Sequence, residues 1–275
     1  MVKISPFFLA LGLLASCTNT DRQTVPSGTE NAADNIPPSI NFTVIQSLPH
    51  DTSSFTEGLL FHEGKLYEST GTEPATPASR RSLFGVVDPK TGKIEARAEL
   101  DKSKYFGEGI SFLGDKVYQL TWTSKVGFIY NSKTFARAGE FTIPVREGWG
   151  MTTDGTHLIM SDGSSNITYV DPVTFRPAKI LGVTDNNGPV NNLNELELIH
   201  GYLYANRWET NYIVKIDTAS GKVVGMIDLT SLVDAARASY PEAAEMNGIA
   251  YDAATDKILI TGKLWPYLYE IKFPH

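Results

Sequence analysis

The sequence is short of cysteine and of positive charge. Its 275 residues include a single cysteine, Cys17. The chain therefore cannot form an internal disulfide, and no metal site built on several cysteines is possible. Lysine and arginine number 24 against 31 aspartate and glutamate residues, which gives a formal net charge of −7. Because phosphate contacts need lysine and arginine, this balance argues against a nucleic-acid partner.

Long hydrophobic runs are also scarce, and the apolar run near the N-terminus is too short to cross a bilayer. Residues 7–14 are apolar and follow Lys3, the pattern of a signal peptide. The run ends in Leu14-Ala15-Ser16-Cys17, which resembles the bacterial lipobox, in which the cysteine carries the lipid. An ordinary signal peptide that happens to contain a cysteine is the alternative. We expect residues 1–17 to be a lipoprotein signal peptide with Cys17 as the lipidated residue.

Residues 18–39 are polar and rich in Thr, Asn, Asp, Ser and Pro, so they cannot bury enough apolar surface to offset the cost of ordering. We expect a flexible linker there, followed by one domain over residues 40–275. The protein would be exported and held at the bacterial cell envelope, on the periplasmic side or the cell surface. It would touch the membrane only through the lipid anchor.

A short signature recurs through residues 40–275. In it, a polar or aromatic residue and usually a glycine precede an apolar strand, and the spacing is roughly 40–50 residues, as in propeller blades. The five copies are Glu57-Gly58-Leu59, Glu108-Gly109-Ile110, Trp149-Gly150-Met151, Asn194-Glu195-Leu196 and Asn247-Gly248-Ile249. Glu108 lies between two glycines, Gly107 and Gly109. Since glycine has no Cβ, we expect the backbone around Glu108 to turn sharply and let a substrate come close.

The strand count predicts how the ring closes. Each of the first four repeats contains four candidate strands, but the fifth contains three. A strand at residues 41–47 precedes the first repeat and is available as the missing fourth strand, which would remove an open sheet edge. The sequence therefore predicts an all-β, five-bladed propeller whose last blade is closed by the N-terminal strand. Residues 230–245 are a candidate for a short helix between repeats four and five.

Inner strands of a propeller begin at one face of the central channel, so the signature residues should gather around one opening. The second strand of each blade returns to the same face, where Trp122, Trp208, Lys263 and Trp265 lie. Aromatic walls around a few polar groups are typical of a small-ligand pocket. For each tryptophan, the alternative to a place in the pocket is packing between blades. For Trp265, the sequence favours neither role over the other. The five histidines show no metal-ligand spacing and are expected at the surface.

Eight motifs, in this order and spacing, resemble the plant-type glutaminyl-peptide cyclotransferases (glutamine cyclotransferases), known from plants and bacteria. They cover about residues 50–273 and are Phe55-Thr56-Glu57-Gly58-Leu59, Gly107-Glu108-Gly109, Gln119-Leu120-Thr121-Trp122, Glu147-Gly148-Trp149-Gly150, Asn194-Glu195-Leu196-Glu197, Asn206-Arg207-Trp208, Asn247-Gly248-Ile249-Ala250 and Gly262-Lys263-Leu264-Trp265-Pro266. The resemblance implies a five-bladed propeller that converts an N-terminal glutamine of a peptide or protein into pyroglutamate and releases ammonia. It implies no cofactor and no catalytic metal, and we expect a monomer.

The resemblance also implies site residues. The family's catalytic acid corresponds to Glu108 and its basic residue to Lys263. Substrate-binding positions correspond to Phe55, Glu57, Trp122, Trp149, Asn194 and Trp208. Family members often carry glutamine where this chain has Glu57. The extra charge would either bind the substrate ammonium or be a spectator.

The chemistry suits these residue types. The substrate amine must lose a proton and the departing nitrogen must gain one, which a single carboxyl group such as Glu108 can arrange. Lys263 and Asn194 are candidate donors to the oxyanion. Indole walls would hold the glutamine side chain folded over its own amine.

Two other functions remain open from the residues alone. A propeller that only binds peptides or sugars would use the same aromatic pocket but would not need Glu108 and Lys263 together. A metal-dependent, lactonase-like propeller hydrolase would need acidic and amide ligands, which Glu57, Glu108, Asn194 and Asn247 could supply. Sensitivity to a chelator separates that hydrolase from a cyclotransferase.

Overall fold

The structure is a computed structural model that describes Met1 and residues 36–275. Cys17, the predicted signal peptide and the predicted linker as far as residue 35 lie outside the described residues. The described part of the chain forms five four-stranded antiparallel sheets, a two-stranded hairpin and one helix. The predicted five-bladed propeller is confirmed.

The blades follow one another along the chain, and β1 (Thr43–Pro49) precedes the first of them. Blade one contains β2 (Thr56–His62), β3 (Lys65–Thr70), β4 (Leu83–Val87) and β5 (Ile94–Glu99). Blade two contains β6 (Gly107–Leu113), β7 (Lys116–Thr121), β8 (Val126–Asn131) and β9 (Arg137–Thr142). Blade three contains β10 (Met151–Thr153), β11 (Leu158–Ser161), β12 (Asn166–Val170) and β13 (Pro177–Gly182).

A small hairpin of β14 (Thr184–Asp185) and β15 (Gly188–Pro189) separates blades three and four. Blade four contains β16 (Leu193–Ile199), β17 (Tyr202–Arg207), β18 (Tyr212–Asp217) and β19 (Val223–Asp228). Helix α1 (Thr230–Ser239) follows, in the segment where the sequence predicted one. Blade five contains β20 (Met246–Asp252), β21 (Lys257–Gly262) and β22 (Tyr267–Lys272), with β1 as its outer strand.

The ring closes through β1. This strand pairs antiparallel with β22, from Thr43 opposite Lys272 to Pro49 opposite Tyr267. It lies two residues further along the chain than the predicted strand at residues 41–47. Just before it, the Ile40 amide donates to the Met226 carbonyl at 2.7 Å, so the chain also runs along the outer strand of blade four.

Turns between the third and fourth strands repeat one local design. In blade one, Asp88 accepts a hydrogen bond from the Lys90 amide at 2.9 Å, and Gly92 takes a left-handed φ of +71°. Asn131, Asp171 and Asp217 accept from the amide three residues on in the next three blades. An Asx side chain that satisfies its own turn explains why such a residue stands at the end of each of these third strands or directly after it.

Apolar residues from adjacent blades form the core. The largest cluster lies between blades four and five and takes in Leu232, Val233 and Ala236 from α1. Trp265 belongs to this cluster, is fully buried and donates its indole N–H to the Ala244 carbonyl at 3.1 Å.

In the described residues, no helix has the length and apolar character needed to cross a membrane.

The expectation that the histidines lie at the surface is wrong for His50. This residue follows β1, is buried, and places Nε2 at 3.1 Å from both carboxyl oxygens of Glu68. Its Nδ1 donates to the Trp265 carbonyl at 2.7 Å. His50 therefore links the closing strand to blade one and to the segment after β21.

Candidate active site

The inner strands are irregular at the signature residues. The pairing of inner and second strands shifts at Thr56/Gly58, Gly107/Ile110, Leu193/Leu196 and Met246/Ile249. A bulge takes a residue out of the hydrogen-bond ladder and re-aims its side chain. The re-aimed residues are Glu57, Glu108, Asn194 and Asn247, all buried at the start of an inner strand. The bulges therefore position four polar side chains at one end of the channel.

A cavity of about 310 Å³ opens at this face, and we call it the mouth pocket. All eight site residues predicted from the sequence line it, namely Phe55, Glu57, Glu108, Trp122, Trp149, Asn194, Trp208 and Lys263. Three further residues, Glu73, Phe106 and Glu245, complete its lining. Trp265 does not line the pocket. Of the two roles that the sequence left open for this residue, the structure therefore supports packing between blades.

Aromatic rings form the walls of the mouth pocket. Phe106 meets Phe55 and Trp122 edge to face, with ring centroids 6.0 and 5.8 Å apart. On the other side, the Trp149 and Trp208 rings lie 5.6 Å apart at an interplanar angle of 87°. A Cβ at Gly163 would lie 2.6 Å from the Trp149 ring, so glycine is needed there to let the indole lie flat.

One carboxylate holds two of the indoles. Glu147 Oε2 accepts from Trp122 Nε1 at 2.8 Å and from Trp149 Nε1 at 2.9 Å. Both bonds are charge-assisted, and both fix a ring plane. Glu147 therefore sets the orientation of two walls.

An ion pair occupies the polar side of the mouth pocket. Lys263 Nζ lies 2.7 Å from Glu57 Oε1 and 4.5 Å from the Phe55 ring centroid. Asn247 Nδ2 donates to Glu57 Oε2 at 2.9 Å. Both carboxylate oxygens of Glu57 are thus engaged, and the lysine is held between a carboxylate and an aromatic face.

Burial and crowding shift the titration of these groups. Burial raises the pKa of Glu57 to about 7, although Lys263 favours its ionised form. Burial, and then the neighbouring Glu57 carboxyl, raise the pKa of Glu108 well above its ordinary value. Burial opposes the charge on Lys263, but Glu57 and Glu108 together raise its pKa. A buried carboxyl group of raised pKa next to a second carboxyl group is typical of a proton-transfer site.

One acceptor in the mouth pocket has no partner. Asn194 is 4% exposed, and its Oδ1 has no hydrogen-bond partner among the described residues. A buried polar atom without a partner costs free energy. This oxygen is therefore available to a ligand N–H group.

Comparison with known proteins decides the family. A family model described as glutamine cyclotransferase matches residues 12–273. The chain belongs to the glutamine cyclotransferase family. A glutaminyl-peptide cyclotransferase of Arabidopsis thaliana is 36% identical over 231 residues, which cover 83% of this chain and 70% of the relative.

A solved structure agrees with the family assignment. Myxococcus xanthus glutaminyl cyclase superposes with a TM-score of 0.76 at 32% identity, over 86% of this chain and 98% of that chain. The resemblance found in the sequence motifs is confirmed, as is the prediction of a cyclotransferase enzyme rather than a binding module or a metal-dependent hydrolase.

The geometry gives a physical reason against the metal-dependent alternative. Glu57, one of the four candidate ligands, already binds the Lys263 ammonium at 2.7 Å and an Asn247 amide at 2.9 Å. A second cation at the same carboxylate would be repelled by the ammonium. Glu57 is therefore the partner of Lys263, a role that neither sequence-based alternative for this residue included.

The signature glycines have a different role from the one expected. A Cβ at Gly109 would lie 2.6 Å from the Met151 amide nitrogen, and one at Gly150 would lie 2.2 Å from the Asn194 carbonyl oxygen. Both positions face the next inner strand around the ring. At these two positions, glycine allows adjacent blades to approach closely. The space beside Gly109 is therefore filled by the next blade, and the expectation that this glycine admits a substrate is wrong.

Sequence reasoning missed Glu73, Phe106 and Glu245 as lining residues and Glu147 as the indole acceptor. Phe106 stands two residues before Glu108, and Glu147 two residues before Trp149, so the signal was adjacent to residues already chosen. Glu73 lies in the loop between β3 and β4 and Glu245 in the segment before β20, where no strand pattern indicates which side chains face the channel.

Proposed function

We propose that the mouth pocket converts an N-terminal glutaminyl residue of a peptide or protein into a pyroglutamyl residue, with Glu108 carrying the proton. The observation that supports this assignment best is the juxtaposition of a buried carboxyl group of raised pKa, a buried ion pair and a box of aromatic rings in one small cavity. The residues that act are our proposal, and the family membership supports the reaction.

The charge of the mouth pocket suits a cationic substrate. Four carboxyl side chains line it, at positions 57, 73, 108 and 245, against one lysine. Such a surplus of carboxyl groups over lysine favours an α-ammonium group, which every unblocked peptide N-terminus provides. The aromatic walls accommodate the two methylene groups of the glutamine side chain and keep water away from the reacting atoms.

The reaction forms one bond and breaks one. The α-amine attacks the γ-carbonyl carbon of its own side chain, the bond from that carbon to the amide nitrogen breaks, and ammonia leaves. Glu108 accepts the proton lost by the amine and passes it to the departing nitrogen. An α-ammonium group has an ordinary pKa of about 7.7–8.0. Because proton transfer is easier between groups of similar pKa, a carboxyl group with a raised pKa suits this exchange better than an ordinary one. No other reactant is required.

Lys263 and Asn194 position the amide that reacts. The Lys263 ammonium faces the pocket and stabilises the negative charge that develops on the γ-oxygen. Asn194 Oδ1, which lacks a partner, accepts an N–H of the same amide. Holding the chain folded accounts for much of the rate, because the reaction is intramolecular.

The test compares a glutaminyl dipeptide with its N-acetylated form. We expect ammonia release and a pyroglutamyl product from the free dipeptide, and neither from the acetylated one, because its nitrogen cannot attack. Ammonia from both substrates would indicate a simple amidase and would overturn the proposal. A chelator should leave the rate unchanged.

The cell location is a separate proposal. The lipobox-like segment ending at Cys17 supports an exported, lipid-anchored protein in a bacterial envelope. Replacing Cys17 by Ser should move the protein from the membrane fraction to the soluble fraction or leave the precursor unprocessed. Unchanged fractionation and processing would contradict the anchor.

A further inference from the structure

Three side chains able to bind a metal meet on the face opposite the mouth pocket. His200 lies in the turn between β16 and β17, Asp256 in the turn between β20 and β21, and His275 follows β22. Each offers one ligand atom, and these atoms lie within 4.8 Å of one another. They come from blades four and five and from residues up to 75 positions apart in sequence, so no local spacing announces them.

The hydrogen bonds of His275 set its Nε2 directly against a carboxylate oxygen. Its Nδ1 lies 2.8 Å from the Phe273 carbonyl oxygen, which can only accept, so Nδ1 carries a proton. Its Nε2 lies 3.0 Å from Asp256 Oδ1. In neutral histidine, that nitrogen would present a lone pair to a carboxylate oxygen. Either a second proton or a bound cation must separate the two atoms.

The same arrangement is typical of a metal-binding histidine. Such a residue usually donates its other ring N–H to a backbone carbonyl, which fixes the ring and the tautomer. Ligand atoms in a tetrahedral zinc site with bonds of about 2.0 Å stand about 3.3 Å apart. The separation of 3.0 Å between Nε2 and Oδ1 is that of a hydrogen bond, and it is also close to this spacing, so the two atoms need to move little to bind one ion.

His200 is oriented by the same network. Its ring stacks on His275 with centroids 4.9 Å apart and an interplanar angle of 13°. The Tyr251 hydroxyl lies 3.2 Å from Asp256 Oδ1, to which it donates, and 3.0 Å from His200 Nε2, from which it accepts. That leaves His200 Nδ1 unprotonated and able to bind a metal.

We propose that His200, Asp256 and His275 bind one divalent transition-metal ion of the zinc class, with water completing the coordination. Two imidazoles and one carboxylate favour zinc over the oxygen-seeking magnesium ion. The bound ion ties His275 to blades four and five. The site lies away from the proposed chemistry and is independent of it.

The test titrates the full chain, freed of metal with a chelator and dialysed, with zinc chloride in a calorimeter. We expect one zinc per chain, a rise in Tm on adding zinc, and no comparable response to magnesium. His200→Gln and His275→Gln should each weaken zinc binding by about 10-fold or more, since even supporting residues are worth about 10–100-fold. Ammonia release should not change in either variant.

His157→Gln is the matched control. His157 also lies beside an aspartate, with Nδ1 at 3.1 Å from Asp154 Oδ2, but it belongs to no three-residue ligand group among the described residues. This variant should bind zinc as the wild type does. No zinc binding by the wild type, equal binding by all three variants, or magnesium binding as tight as zinc binding would overturn the proposal.

Discussion

Lys263 Nζ and Glu57 Oε1 form a buried ion pair 2.7 Å long at the floor of the mouth pocket. The pair explains how a lysine can be held at 7% exposure in a cavity with aromatic walls. Breaking such a pair leaves an uncompensated charge, which costs about 3–5 kcal/mol. The same Glu57 carboxyl also raises the pKa of Glu108, after burial, so the pair and the proposed proton carrier are electrostatically linked.

The first prediction concerns Glu57→Gln. This change keeps the shape and removes a negative charge next to Glu108, so ionising Glu108 becomes easier and its pKa falls. The acidic limb of the kcat/KM profile reports the pKa of the free enzyme's base. We expect that limb to move to lower pH.

Glu73→Gln provides the control for this shift. Glu73 lines the same pocket but is exposed, so water screens its charge from Glu108. The acidic limb of the kcat/KM profile of Glu73→Gln should stay within error of the wild-type limb. Identical limbs for Glu57→Gln and wild type would mean that Glu57 does not control the base.

The second prediction concerns Glu147→Leu, which removes the acceptor shared by Trp122 and Trp149. Both indoles lose a fixed orientation, so KM should rise severalfold while kcat changes less, and the near-ultraviolet circular dichroism of tryptophan should weaken. Glu140→Gln is the control. It removes a carboxylate that pairs with Arg137 on the outer strand of blade two, and it should change neither KM nor the circular dichroism of tryptophan. A purely structural Glu147 would lower Tm and leave KM unchanged.

The third prediction separates crowding from backbone strain at Gly163. Gly163 and Gly155 both have left-handed φ values, +75° and +83°, but only Gly163 has an aromatic ring against its missing Cβ. Alanine at either position should cost stability through strain, on the order of 1 kcal/mol. Only Gly163→Ala should also displace Trp149 and raise KM. Equal KM values in the two variants would contradict the proposed role of the Trp149 wall.

The sequence was sufficient for the blades because their signals are local. Turn residues such as Asp88 and the recurring Glu-Gly or Asn-Gly pairs indicate where each strand begins and ends. Closure by β1 followed from counting strands, because an unpaired edge is unfavourable. The two-residue displacement of β1 arose because pairing with β22 sets its limits, and no residue within β1 encodes that register.

The sequence predicted those site residues that stand at the start of an inner strand, because their position in the repeat is visible in the sequence. It did not predict contacts between distant segments. The pairing of Lys263 with Glu57 joins residues 206 positions apart, and His50 is buried only because Glu68 and the Trp265 carbonyl meet it there. Such contacts depend on how the ring closes, so composition and spacing do not reveal them.

The fourth prediction concerns the stability of the buried His50–Glu68 pair. Burial lowers the pKa of His50, but Glu68, the Trp265 carbonyl and Asp51 together outweigh burial, so the net pKa is raised above 6.5. A raised pKa means that the folded state holds the proton more tightly than the unfolded state. This contribution to the free energy of unfolding is fully present below pH 6.5 and is lost as the pH rises through the folded-state value.

His50→Gln tests this contribution by urea unfolding at several pH values. Wild type should lose stability as the pH rises from about 6.5, and the variant should lose less over the same range because its side chain does not titrate. Glu57 adds a loss of its own between pH 4.5 and about 7, since burial raises its pKa too. Parallel curves for wild type and His50→Gln would contradict proton binding at His50.

The most direct test of the whole account is the turnover of Glu108→Gln on a glutaminyl dipeptide, followed by ammonia release. Glutamine retains the size of the side chain and can still form hydrogen bonds, but it cannot carry a proton. We predict a fall in kcat of about 10²–10⁴-fold, the usual worth of general acid–base catalysis, with KM changing far less. A folded Glu108→Gln protein that released ammonia at a near-normal rate would contradict the account.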